Sequence, residues 1–341
     1  MKYLVTGGSG FVGSNIAGRL LHEQRDVTVF DNLSRNGSAL NLQWLREQGL
    51  TDYVHGDIRN QNDVENLIAA VKPDVIFHLC GQVAMTTSMQ KPRHDFEVNV
   101  LGSINLLESV RRHSPKTTIV YSSSNKVYGD LDYLPVQEME RRYIIPTMPD
   151  GIDESAKLDF RTPYGCSKGS ADQYMLDYAR NWGLNTVVFR HSTIFGGRQF
   201  ATYDQGWVGW FCQQALLQRD NPASEPFTIS GDGKQVRDLL FVEDAVECYL
   251  AAAARIERVR GEPFNIGGGM PNSSSLLELF DFLEEFLGVK LRWKRIDWRF
   301  SDQKVFVANN DKARERLGWT PKVAKRDGIV AMCRWLEKGA L

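Results

Sequence analysis

Tyr164 and Lys168 stand four residues apart in the run Tyr164-Gly165-Cys166-Ser167-Lys168. On a helix that spacing projects both side chains from one face. A phenol beside an ammonium is an acid/base pair: free tyrosine titrates at about 10, and a fixed neighbouring positive charge favours the tyrosinate and lowers that value. The same spacing is common on solvated helix surfaces, so the pair takes its meaning from the rest of the chain. A second chemistry lies in Gly7-Gly8-Ser9-Gly10-Phe11-Val12-Gly13. Glycines let the backbone turn tightly and approach a pyrophosphate, whose charge then meets the amides and positive dipole of a following helix. Asp31 ends the next apolar run, at the distance where a carboxylate accepts hydrogen bonds from an adenosine ribose. A third polar cluster, Ser122-Ser123-Ser124, closes another apolar run. Doubly wound folds place their chemistry at such strand ends.

The elements that must position these residues can be read from the pattern. Six short buried runs predict strands: 2–6, 27–30, 53–56, 73–79, 118–121 and 186–189. Helical patterns start near 12, span about 93 to 113, and open at Tyr164 to run to about 181. The alternation predicts an α/β protein: a Rossmann-type doubly wound parallel sheet with a smaller C-terminal α/β lobe. We place the dinucleotide-binding domain at 1–190 plus 237–260 and the substrate domain at 191–236 plus 261–341. The segment 131–163 is too long for a minimal connection and is expected to border the site, with Glu154 near its entrance. The aromatic stretch 198–211 reads equally as a nucleobase-stacking surface and as the core of a small helical lobe.

Asp31 favours NAD as cofactor because it would repel a 2'-phosphate, while Arg35 close by leaves NADP open. Asn32, Ser34 and Arg35 fall where an adenosine pocket would lie. The 341 residues are 42% hydrophobic and 24% charged with a formal charge of -1, which argues against a nucleic-acid partner or an anionic-membrane surface. The five cysteines are scattered and form no C-x-x-C pair, so reduced thiols and a cytoplasmic location are expected. No apolar run is long enough to span a bilayer, and the N-terminus enters a strand at once, so no membrane association is expected. The six histidines lie far apart, so no metal site is expected, and His78 reads as a core residue.

The glycine spacing 7, 10, 13 together with Ser124, Tyr164 and Lys168 resembles the short-chain dehydrogenase/reductase superfamily in its extended form, over the whole chain. That resemblance implies Ser124, Tyr164 and Lys168 as the catalytic group. It implies a cofactor set of Gly7, Gly10, Phe11, Val12, Gly13, Asp31, Asn32, Ser34, Arg35, Asp57, Ile58, Leu79, Gln82, Asn99, Tyr164 and Lys168. Substrate contacts are implied at Ser88, Ser124, Thr193, Val208, Arg237 and Arg299, with Arg237 on a pyrophosphate. Two positions depart from the pattern: Asn125-Lys126 stands where sugar-nucleotide 4,6-dehydratases carry an Asp-Glu pair, and Thr193 stands where relatives often have Asn. Without those carboxylates, epimerisation is expected rather than elimination of water. The blocks 82–88, 124–130, 164–168 with 172–178, and 198–211 resemble sugar-nucleotide epimerases that act on a CDP-sugar, and a UDP-sugar 4-epimerase is the alternative. A non-catalytic NAD-sensing module would not need Ser124, Tyr164 and Lys168 together. By the same resemblance, helices near 97–113 and 168–182 would pair copies into a homo-oligomer, a dimer or a tetramer.

Overall fold

In the computed structural model, which describes residues 1–340, β1 (Lys2–Thr6) runs into the glycine turn and α1 (Phe11–His22) leaves it. The alternation continues through β2 (Asp26–Asp31), α2 (Ser38–Glu47), β3 (Asp52–His55), α3 (Gln61–Val71) and β4 (Val75–His78). Next come α4 (Met85–Gln90), α5 (Pro92–Phe96), a π-helical turn over Glu97–Leu101, and α6 (Gly102–His113). Then follow β5 (Thr118–Ser122), the short strands β6 (Gln137–Glu138) and β7 (Tyr143–Ile144), α7 (Thr162–Trp182) and β8 (Asn185–His191).

Seven strands pair in the order β3-β2-β1-β4-β5-β8-β12, where β12 is Glu262–Ile266, and every pairing is parallel. Alternate residues feed opposite cores. Val5, Val29, Phe77, Val120 and Val187 enter one, while Leu4, Phe30, Ile76, Ile119 and Val188 enter the other with side chains of α3, α6 and α7. Both faces are therefore covered, which is why these strands read as continuous apolar runs. The chain winds outward from β1 to β3 and then, from β4, in the other direction. That reversal leaves a crevice at the carboxyl ends of β1 and β4, where ligands bind in such sheets.

The second lobe is built from β9 (Thr193–Phe195), α8 (Trp207–Asp220), β10 (Phe227–Ser230) and β11 (Val236–Phe241). The chain then returns to the first lobe through α9 (Val242–Ala254), α10 (Ile256–Val259) and β12. It finishes with β13 (Ser273–Ser275), α11 (Leu276–Leu287), β14 (Trp293–Ile296), β15 (Val305–Phe306), α12 (Asp311–Leu317) and α13 (Lys325–Trp335). Strand β11 joins β9, β13 and β15, whereas β10 pairs with β14. Phe211, Phe280, Leu283, Ile329 and Met332 form its core.

Two stretches sit differently from the sequence reading. Residues 262–266, read as second lobe, form the edge strand beyond β8, and 237–241, read as first domain, lie in the second lobe's sheet. A short buried strand looks the same whichever sheet it enters. The 131–163 segment carries the β6/β7 pairing and a bridge from Ile152 to Ala308. Among the described residues, no helix is long and apolar enough to cross a membrane.

Candidate active site

A cleft of about 680 Å³ opens between the lobes above the switch point. At its floor Gly7 adopts φ +70°, and a Cβ there would stand 2.7 Å from the Cys80 nitrogen. A Cβ on Gly13 would meet the Gly7 oxygen at 2.2 Å, so no larger residue fits the turn as it stands. The first turn of α1 thus presents its free amides to the cleft. Asp31 is buried with Oδ2 accepting from the Ser9 amide (3.0 Å) and Oδ1 from the Leu33 amide (2.8 Å). Burial raises its pKa, and those amides oppose the rise. Asn32 donates to Asp57 at 3.1 Å, and the Arg59 guanidinium holds the Asp57 carboxyl down at about 2. Glycine cradle, helix amides and ribose-side carboxylates fit a dinucleotide.

Of the cofactor set read from the sequence, Gly7, Gly10, Phe11, Val12, Gly13, Asp31, Asn32, Ser34, Arg35, Asp57, Ile58, Leu79, Gln82 and Tyr164 line this cleft. Ser124, Thr193, Arg237 and Arg299 line it too. Asn99, Lys168, Ser88 and Val208 stand behind its wall. Ser88 is fully buried and donates to Met85 O within α4. Val208 packs in the second-lobe core with Phe211, while Tyr203, Trp207 and Trp210 face the cleft, so the aromatic stretch serves both purposes.

The reactive end is assembled by β5 and α7. Ser124 caps the 3-10 turn Asn125–Tyr128 by accepting the Lys126 amide at 3.2 Å and donates to Asn125 Oδ1 at 3.4 Å, and it lines the cleft together with the Tyr164 phenol. Burial pushes that phenol up to about 12, and the nearby Ser124 hydroxyl only partly opposes the rise. The expectation that Lys168 would depress it is corrected by the geometry. The Lys168 ammonium turns instead to the Ser122 carbonyl at 2.5 Å and sits 4.8 Å above the Tyr121 ring. Burial lowers Lys168 to about 8, with Asp95 and then Asp172 resisting.

Two buried networks hold this arrangement. Asp95 accepts from Gln82 Nε2 at 2.9 Å and from the Ser167 hydroxyl. Asn99, in the π-helical turn, exchanges two bonds with the Gln82 backbone (2.9 and 3.1 Å) and donates to Ser167 at 2.9 Å. Such turns gather at functional sites, and this one locks Gln82 against α7. Arg190 makes a paired contact with Asp172 (2.8 and 2.9 Å), which also accepts from Ser123 at 2.7 Å. Removing one partner of a buried pair leaves an uncompensated charge at a cost of about 3–5 kcal/mol.

Sequence reasoning missed Asp95 and His191. The His191 ring, facing the cleft, shares a 2.8 Å hydrogen bond with Ser122 Oγ, and burial lowers it to about 4. His78 is enclosed between Thr6 and Ser103 and held neutral by burial, as a core residue. Glu154 accepts the Asn265 amide at 2.6 Å and so ties its loop to β12 instead of standing free at the entrance. At the second-lobe end, Arg237 pairs with Asp302 at 2.7 Å and Arg299 donates to Tyr203 O at 3.1 Å. Among the described residues, no group of three His, Cys, Asp or Glu is placed to hold a metal.

A dinucleotide cradle at a switch point, with serine and tyrosine hydroxyls meeting above it, defines a nicotinamide-dependent enzyme acting on a carbinol. The chain belongs to the NAD dependent epimerase/dehydratase family, whose sequence model matches residues 3–267. The CDP-paratose 2-epimerase of Salmonella typhi is 56% identical over 335 residues, spanning 98% of this chain and 99% of the relative. Among solved structures, the UDP-glucose 4-epimerase of Thermotoga maritima with UDP-glucose is similar at a TM-score of 0.83 and 29% identity, covering 99% of each chain. The Thermus thermophilus UDP-glucose 4-epimerase in complex with NAD is similar at 0.81 and 26%, covering 100% of each.

Proposed function

We propose that the chain is an NAD-dependent epimerase that converts CDP-paratose to CDP-tyvelose by inverting C2. The observation that carries an epimerase reading is the meeting of Ser124 and Tyr164 in a cleft whose neighbouring residues 125 and 126 offer no carboxylate. Asn125 donates to Gln303 Oε1 at 2.7 Å and Lys126 to Ser301 O at 2.9 Å, so the carboxylate pair that serves an elimination is absent from these two positions. The CDP-sugar comes from the likeness to the Salmonella typhi enzyme.

In this reading the first lobe holds NAD through the glycine cradle, Asp31 and Asp57, and Arg237 and Arg299 of the second lobe hold the sugar nucleotide. NAD, when bound, supplies a reversible hydride acceptor whose cationic ring also favours the tyrosinate. Ser124 donates to the sugar oxygen and fixes it against Tyr164. Tyr164 takes the hydroxyl proton as the carbinol becomes a ketone and returns it when the carbinol re-forms. Both residues touch the oxygen alone, so they serve either face of the ketone once the sugar has turned. No net redox change results. We further infer a cytoplasmic homo-oligomer, supported by five free cysteines and by apolar residues exposed on the outer helices.

Incubating the purified protein with CDP-paratose and following CDP-tyvelose by NMR tests the reading. Tyr164→Phe is expected to lower kcat by roughly 10²–10⁴. Conversion of UDP-hexoses alone would refute the substrate, and undiminished turnover by the variant would refute the proton transfer.

A further inference from the structure

We propose that Lys126 is a positioning residue that holds the β-phosphate of the sugar nucleotide and thereby brings C2, and not C4, to Tyr164 and Ser124. This rests on the CDP-sugar reading above. Lys126 begins from the catalytic hydroxyl itself, because its amide is bonded to Ser124 Oγ at 3.2 Å. Its side chain, 15% exposed, then crosses to the second lobe, donating to Ser301 O at 2.9 Å and standing 3.9 Å from Asp302 Oδ1. Arg237 reaches the same Asp302 oxygen at 2.7 Å. Two positive charges thus share one carboxylate oxygen at the cleft wall, near enough together for one pyrophosphate to touch both. An incoming phosphate would find a surplus cation there, in a partly desolvated setting where charge-assisted hydrogen bonds are strong.

Sugar chemistry connects that cation to the reacting carbon. The β-phosphate hangs on the anomeric oxygen of C1. Its phosphorus is three bonds from C2 and five from C4. When C4 faces the catalytic pair, the ring lies between that pair and the phosphate, so phosphate-binding cations belong at the far end of the cleft. When C2 faces the pair, its bonded neighbour C1 brings the phosphate next to the catalytic strand end. Lys126, whose backbone stands one short turn from Ser124 and whose ammonium reaches the cleft wall beside Asp302, suits the second geometry. Arg237, on β11, suits the outer part of the pyrophosphate in either one.

The test uses the full-length NAD-bound enzyme with Lys126→Met and Lys126→Arg, titrated calorimetrically with CDP and with CMP. Losing a hydrogen bond to a charged group corresponds to roughly 10- to 100-fold. CDP affinity is expected to fall by about that factor in the Met variant, with CMP affinity unchanged and with the Arg variant recovering most of the CDP affinity. At saturating CDP-paratose, kcat of the Met variant is expected to fall at least about tenfold, because a loosened phosphate no longer fixes which carbon faces Tyr164. Bound NAD and melting temperature report that the variant is folded. Equal losses for CDP and CMP, or no loss, overturn the phosphate contact, and an unchanged kcat overturns the choice of carbon. The CDP–CMP comparison is read without turnover. A wild-type enzyme inactive on CDP-paratose therefore defeats the substrate reading separately.

Discussion

At the scale of single residues, the charge at the centre of the site is set by a carboxylate that lies outside the cleft wall. Asp95 is fully buried, and after burial it is the largest influence on Lys168, resisting the fall of the ammonium to about 8. Asp95→Asn removes the charge and can keep the bonding. The Ser167 hydroxyl already lies 3.2 Å from Tyr164 O and can turn toward it, leaving its oxygen to accept from the new amide. With the counter-charge gone, Lys168 gives up its proton more readily. The resemblance implies that Lys168 holds the cofactor; in that role its ammonium is lost as pH rises through its pKa, so the alkaline limb of kcat/KM is expected near pH 8 in the wild type. In the variant it moves to lower pH by roughly one unit, the effect of a nearby opposite charge. Superimposable pH profiles between pH 6 and 10 would count against this. Tyr164 and Asp31 were legible in the sequence because spacing along one helix or at a strand end announces them, whereas the resemblance singled out Ser124 from its serine cluster. Asp95 was not legible, since its role arises where Gln82, Asn99 and Ser167 converge from three separate segments. The direction of the Tyr164 shift was also hidden, because it depends on where the Lys168 side chain turns and on burial.

At the scale of elements, the strand–turn–helix unit β1–α1 forms the proposed cofactor cradle, and its geometry is tightest at Gly13. A methyl group on Gly13 would lie 2.2 Å from the Gly7 oxygen and 2.7 Å from Gly8 Cα, and both neighbours are backbone. Gly13→Ala must therefore open the turn and tilt α1 away from β1, which misdirects the amides that face the pyrophosphate. NAD recovered from the purified variant, measured after denaturation, is expected to fall at least about tenfold, with the helical circular-dichroism signal retained. Full NAD occupancy would show that the cradle bends without cost. Six of the seven sheet strands could be read from alternating apolar runs and helices, since a doubly wound sheet buries both faces and leaves that trace. The seventh, β12, could not be assigned, because its partner β8 is separated from it by a whole lobe and Glu262–Ile266 carries no mark of which sheet it joins. The helix read as continuous from 93 to 113 contains the π-helical turn that carries Asn99, and such a local insertion has no signature in apolar periodicity.

At the scale of the whole molecule, the inner side of one helical layer is packed on the sheet while its outer side carries four exposed apolar residues among polar ones. Phe96, Leu101, Tyr174 and Trp182 are 53%, 40%, 45% and 50% exposed, on α5, the π-helical turn and α7, which pack together as one layer. Single exposed apolar residues need no explanation, but four on one packed layer form a face that the proposed pairing of copies would cover. A second copy meeting the same layer would bury all four residues twice over, and a two-fold axis makes such a patch complementary to itself. Multi-angle light scattering is therefore expected to give twice the chain mass for the wild type. Leu101→Glu combined with Tyr174→Glu places two buried charges on each side of that contact and should give the single-chain mass. The contact also bears on the site. Leu101 and Asn99 share the π-helical turn, and Asn99 fixes Gln82 at the cleft and Ser167 on α7. A monomer freed by the double variant loses support for that turn, so its affinity for NAD should weaken several-fold although neither substitution touches the cleft. A wild-type chain that runs as a monomer sinks the pairing. A monomeric variant with wild-type NAD affinity keeps the pairing and removes its link to the cofactor.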